Sequence, residues 1–147
     1  MTAIPEVLDA LTELWRASPL VQEAGIRPDQ ILDGPPVTYL YSEGVAIGAS
    51  REDNSVEFFS SATGLDTQDE RFNVNCITWA GYGDTTFKPL RDKCDSFLAA
   101  LDNALATDRS LGGVISNAWL TSGAITQEQT GNGALVMVEF TIQATLY

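Results

Sequence analysis

The chain opens on a helical rhythm. Ile4, Val7, Leu8, Leu11, Leu14 and Trp15 recur at 3.6-residue spacing, while Glu6, Asp9 and Glu13 fall on the other side. That pattern predicts a helix packed by one face. Ser18-Pro19 stops it, because the residue before a proline is driven out of helical geometry. A further short helical turn is expected between residues 19 and 26. Ile31-Leu32-Asp33 then reads as a short strand entering the turn Gly34-Pro35-Pro36, and residues 37–41 and 45–48 as strands split by Ser42-Glu43-Gly44.

Residues 49–70 break the pattern. Glu52, Asp53, Glu57, Asp66, Asp69 and Glu70 stand against a lone Arg51, with Ser60-Ser61-Ala62-Thr63-Gly64 in the middle. Such a segment reads as a long solvated loop or an extended hairpin arm. Phe58 and Phe59 are adjacent inside it, an unusual pair to leave in water and a natural anchor for a partner or neighbouring subunit. From Arg71 to Ala80 the chain alternates, with Phe72, Val74 and Cys76 opposed by Arg71, Asn73 and Asn75. The alternation slips at Ile77 and Trp79, as in a strand whose second face becomes covered there. Gly81-Tyr82-Gly83-Asp84 ends it.

A long helix follows. Thr85 or Thr86 is placed to cap it and Pro89 is tolerated in its first turn. Leu90, Cys94, Phe97, Leu98, Leu101, Ala104 and Leu105 make one apolar stripe. Lys88, Arg91 and Lys93 near its start and Asp102 near its end oppose the helix dipole, a bias worth about a few tenths of a kcal/mol per charge in solvent. A turn over 108–113 leads to strands expected at 114–121 and 124–129, and Asn132-Gly133 is a strong hairpin signal. The closing strand alternates Ala134, Val136, Val138, Phe140, Ile142 and Ala144 against Glu139, Thr141, Gln143 and Thr145. Leu135 and Met137 make its first half apolar on both sides, a surface expected to be buried on assembly. The sum is an α+β fold over a single domain, 1–147. A mostly antiparallel or mixed sheet is packed by the N-terminal helix and one long central helix.

Composition narrows the function. With 44% apolar and 19% charged residues, the chain is expected to build a core rather than stay disordered. Its apolar runs are all shorter than the ~20 residues that cross a bilayer, and its first residues do not read as a secretory signal. A soluble protein made in a cytoplasm is expected, with no membrane partner. Eight Lys and Arg against 20 Asp and Glu leave a net charge of −12, so tight nucleic-acid binding by phosphate neutralisation is improbable. Histidine is absent, which removes the usual general base near neutral pH and the commonest zinc ligand.

Motifs for chemistry are missing as well. The sequence has no phosphate-cradling glycine loop, dinucleotide fingerprint or nucleophile elbow. Residues 51–55 lack the acid spacing and central glycine of a calcium loop. Cys76 and Cys94 each fall on an apolar face and read as buried reduced thiols, not a metal or redox pair. Carboxylate pairs such as Asp66/Asp69 and Asp92/Asp95 suit a solvated acidic face better than hydrolysis. A small metal-dependent hydrolase stays the weaker alternative, and no catalytic residue, metal or cofactor is expected. Trp15 and Trp119 read as core, whereas Trp79 and Tyr82 beside the glycine turn read as a contact surface.

Several small motifs recur in a characteristic order. These are Asp33-Gly34-Pro35-Pro36, Val45-Ala46-Ile47-Gly48, Phe72-Asn73-Val74-Asn75-Cys76, a long helix ending Leu105-Ala106-Thr107-Asp108, Leu111-Gly112-Gly113-Val114, and Thr130-Gly131-Asn132-Gly133-Ala134 before the last strand. In that order, over nearly the whole chain, the sequence resembles the tail terminator proteins of long-tailed bacteriophages, especially those infecting actinobacteria. The resemblance implies a structural virion protein without catalysis: a hexameric ring that caps the tail tube and takes part in head-tail joining. Its implied partners are further copies of itself, the tail tube protein and the head-tail connector proteins, with DNA passing through unbound. Head-completion and connector proteins of the neck have related folds and are the alternative placement. The expected subunit or tube interface comprises Glu57, Phe58, Phe59, Trp79 and Tyr82.

Overall fold

Helix α1 (Ile4–Ala17) turns Val7, Leu11, Thr12 and Trp15 inward and leaves Glu6, Asp9 and Glu13 in solvent. Ser18 is extended, with φ −74° and ψ 122°, and Pro19 opens the short α2 (Pro19–Glu23); the pre-proline restriction thus converts one helix into two. A turn of 3₁₀ helix over Pro28–Gln30 leads into β1 (Ile31–Asp33). The computed structural model describes residues 4–35, 42–49, 56–62, 68–81 and 86–146, and residues 58–62, 68 and 69 by their backbone. The strand expected over 37–41 lies outside the described residues.

The remaining elements are β2 (Glu43–Ile47), β3 (Val56–Ala62), β4 (Gln68–Gly81), α3 (Lys88–Thr107), β5 (Asn117–Thr130) and β6 (Gly133–Leu146). They make an α+β fold around one mixed six-stranded sheet, in the order β1-β2-β4-β6-β5. All pairings are antiparallel except β1 with β2. The strand β4 is long enough to hold two neighbours on one side: β3 along residues 68–74 and β2 along 76–80. The acidic 49–70 segment therefore supplies an edge strand of the sheet.

Parity sorts the side chains. Phe72, Val74, Cys76 and Ala80 of β4 pair with Ala144, Ile142, Phe140 and Val136 of β6, and these eight share one core with Val7, Leu11 and Trp15 of α1 and Cys94, Phe97, Leu101 and Leu105 of α3. Each large side chain buried this way contributes about 1.5–3 kcal/mol. The indole N–H of Trp15 donates to the Leu101 carbonyl at 3.1 Å, and its ring meets Phe140 at a tilted 6.1 Å. This fixes α1 against both α3 and the sheet. Arg16 pins the other side of α1, donating through Nη2 and Nε to the Ile31 carbonyl at 2.6 and 3.1 Å.

Three expectations need correction. First, residues 114–129 form one strand, β5, starting at Asn117, where two were expected. Between Leu120 and Ser122 the register with β6 shifts, so a β-bulge at Thr121 absorbs the break that Ser122-Gly123 suggests, and the ladder runs on. Second, α3 begins at Lys88 with Phe87 at the cap position and no side-chain cap bond. Its basic first turns are held instead by Lys88 pairing with Asp92 at 3.0 Å and Lys93 pairing with Glu43 of β2. Third, the second apolar face of β6 is buried within the chain itself. Leu135 and Met137 are 4% and 3% exposed and pack with Ala46, Ala49, Ile77 and Trp79 on the sheet face opposite the helices.

Candidate functional site

Of the residues expected at an interface, three lie on β3 and one on β4. Glu57 lies on β3, half-buried, across from Asn73; Phe58 and Phe59 stand across from Phe72 and Arg71 in the register. Trp79 is fully buried, across from Met137 on one side and Gly44 on the other. In the free chain it is a packing residue. Tyr82 lies outside the described residues. Trp119, expected in the core, is half-exposed, because its position across from Gln143 puts it on the polar half of the sheet's outer face.

Reactive groups are few. Both cysteines are free and buried, and burial pushes each thiol up from 9.0 to about 12. The Cys94 thiol leans on the Val136 carbonyl at 3.6 Å, and Cys76 on Val74 at 3.8 Å. Among the described residues no group of three or more His, Cys, Asp or Glu side chains could hold a metal ion, and no helix is long and apolar enough to cross a membrane.

The thiols give a pH expectation with a definite sign. A thiol whose pKa is raised on folding stabilises fully below its unfolded value and loses that contribution as pH rises towards the folded value. The urea midpoint should therefore fall between pH 9 and about 12, a fall smaller in Cys76→Ala and Cys94→Ala backgrounds. A wild-type fall no larger than that of the two variants would refute this.

Three hollows stand out among the described residues. Leu14, Ala17, Pro19, Leu20 and Thr107 line a hollow of about 420 Å³ at the α1–α2 corner. Asn75, Ser122, Glu139 and Thr141 line a polar one of about 270 Å³ on the outer sheet face, where the Thr141 hydroxyl donates to Asn75 Oδ1 at 2.9 Å. The third, about 310 Å³, runs between α3 and β5 and is lined by Arg91, Asp95, Leu98, Ile125 and Val138. Arg91 donates across its mouth to Gln127 at 3.1 Å. Ile125 is 53% exposed, and only Leu20 at 40% joins it as an exposed large apolar residue among those described.

Beside that groove lies the free edge of the sheet. β5 ends the strand order, so along its fourteen residues one backbone edge has no strand beside it among the described residues. Sequence reading missed this edge because the Ser122-Gly123 break hid the strand's length. The available signal was its charge: Glu128 is the single ionisable residue between Asn117 and Thr130, in a chain with 19% charged residues.

No family model matches the sequence, and no curated protein matches it. Among solved structures, a chain of the virion of a native gene transfer agent particle shares the fold at a TM-score of 0.51 and 9% identity. The match covers 94% of this chain and 92% of that one.

Proposed function

We propose that this protein is a structural component of a phage-type virion and serves there as a tail terminator, a ring of six copies that closes the tail tube and meets the head. The observation that carries the reading is the end-to-end sharing of fold with a virion chain, 94% of one against 92% of the other. The charge supports it too: copies at −12 each would surround a passage that repels phosphate, so DNA slides through without being held. Glu57, Phe58 and Phe59 on β3, with Tyr82, are proposed to meet an adjacent subunit or the tube end.

Removing the gene from the phage that carries it tests the role. Tubes that overrun their length and filled heads left unjoined are the expected products under the electron microscope, restored by supplying the chain in trans. Tails of normal length beside unjoined heads would assign it to the connector instead, and normal particles would overturn the virion reading altogether. Replacing both Phe58 and Phe59 by serine should block ring formation or tail joining while the monomer melts as before. Unchanged assembly of that double variant would remove the arm from the interface.

A further inference from the structure

We infer that Asn132, at the tip of the β5–β6 hairpin, is a site of spontaneous covalent modification, where it loses its side-chain amide at a rate set by the Thr130 hydroxyl. Nothing in this depends on the virion reading. Three observations carry it.

The first is the chemistry of the pair. Asn132-Gly133 is the single Asn-Gly step in the sequence; every other asparagine precedes Ser, Val, Cys or Ala. A following Cβ crowds the approach of the next backbone nitrogen to the asparagine side chain, and glycine has none. The Gly133 nitrogen gives up its proton and bonds to Asn132 Cγ. The Cγ–Nδ2 bond breaks, and the leaving nitrogen takes up a proton and departs as ammonia. Water then opens the cyclic imide at either carbonyl, giving aspartate or isoaspartate, whose backbone runs through the side chain. Nothing is oxidised or reduced.

The second is access. β5 ends at Thr130 and β6 begins at Gly133, and Gly131 and Asn132 between them are exposed. Gly133 has φ +118°, a conformation that glycine holds at little cost. The end of a ladder also opens more readily than its centre.

The third is a clamp. The Thr130 hydroxyl accepts from the Asn132 N–H at 3.1 Å and donates to the Gly133 carbonyl at 2.8 Å. These two bonds grip the chain on either side of the Asn132 Cα–C bond. That is the bond about which the backbone must turn to bring the Gly133 nitrogen within about 3–3.5 Å of Cγ, aligned for attack. With the clamp closed, Gly133 stays paired across from Thr130. Each event therefore waits for Thr130 to let go. Either product places a negative charge in residues 129–138, a stretch with no ionisable side chain, and isoaspartate also adds an atom to the backbone inside the clamp.

Peptide mapping by mass spectrometry tests this on the full chain, held folded for weeks at mildly alkaline pH. Wild type should convert at Asn132 sooner than at any other asparagine, with part of the product as isoaspartate, and faster as the pH is raised. Thr130→Val keeps the shape of the side chain and removes both bonds, and should convert at least about threefold faster. Thr130→Ser keeps the hydroxyl and should return to the wild-type rate. In urea all three should convert alike, which separates the clamp from any direct effect of residue 130 on the chemistry. Asn132→Ser should show no gain at the tip. An intact Asn132 in the folded chain, or another asparagine converting first, would overturn the site. A folded Thr130→Val no faster than wild type would overturn the clamp.

Discussion

Trp15→Ala should leave the protein close to unfolding at room temperature. The side chain is fully buried and joins three elements at once: its own helix α1, α3 through the Leu101 carbonyl, and β6 through Phe140. Truncating a buried tryptophan costs about 3–5 kcal/mol, against a total stability of about 5–15 kcal/mol for an ordinary domain. The urea midpoint should fall accordingly, with the slope unchanged. Trp15→Phe separates the two contributions. It keeps most of the buried area and loses the indole bond, and the Leu101 carbonyl retains its in-helix position, so about 1 kcal/mol is expected. Equal losses in both variants would show that the bond and not the packing dominates.

Gly44→Ala should come next in size, for the opposite reason: too much matter instead of too little. A Cβ at Gly44 would stand 2.8 Å from the Gln30 carbonyl oxygen and 2.9 Å from Trp79 Cζ2. The carbonyl belongs to backbone leading straight into β1, and the ring is enclosed by Ile77, Leu135 and Met137, so neither gives way easily. Overpacking of this kind costs about 1–3 kcal/mol, and Trp79 fluorescence should report the displaced ring. Gly131→Ala is the control. Nothing lies within 4 Å of its would-be Cβ, and a change within about 0.5 kcal/mol is expected. A Gly44→Ala midpoint as mild as the control would show that β1 and the indole move freely.

The legible parts of the fold are those governed by local periodicity. α1, the stripe of α3 and the alternation of β6 were all set by spacing along the chain, and the slip at Ile77 and Trp79 correctly indicated a covered second face. What covers that face was misjudged. Leu135 and Met137 meet Ala46 and Ala49 from a distant stretch, and no local pattern announces a contact between residues so far apart along the chain. The same limit hid the parallel pairing of β1 with β2, three residues long, and the exchange of environment between Trp79 and Trp119. A tryptophan's burial depends on which neighbours share its face, and those neighbours come from other strands. At the candidate surface, Ile125 was the hardest residue to foresee, since the bulge at Thr121 flips the parity by which it would have been assigned.

The position of β6 carries a consequence for when the protein becomes competent. β6 follows every other described element in the chain yet stands between β4 and β5, pairing Glu70 with Leu146 and Gly81 with Leu135 on one side and the whole of β5 on the other. A ribosome-bound chain that lacks it has helices and a stub of sheet, but β5 has nothing to lie against. The pairing of β5 with the rest of the sheet thus comes into being only when synthesis has passed β6. Translation order itself sets the sequence of events: the pairings that close the sheet wait for the strand that stands in its middle.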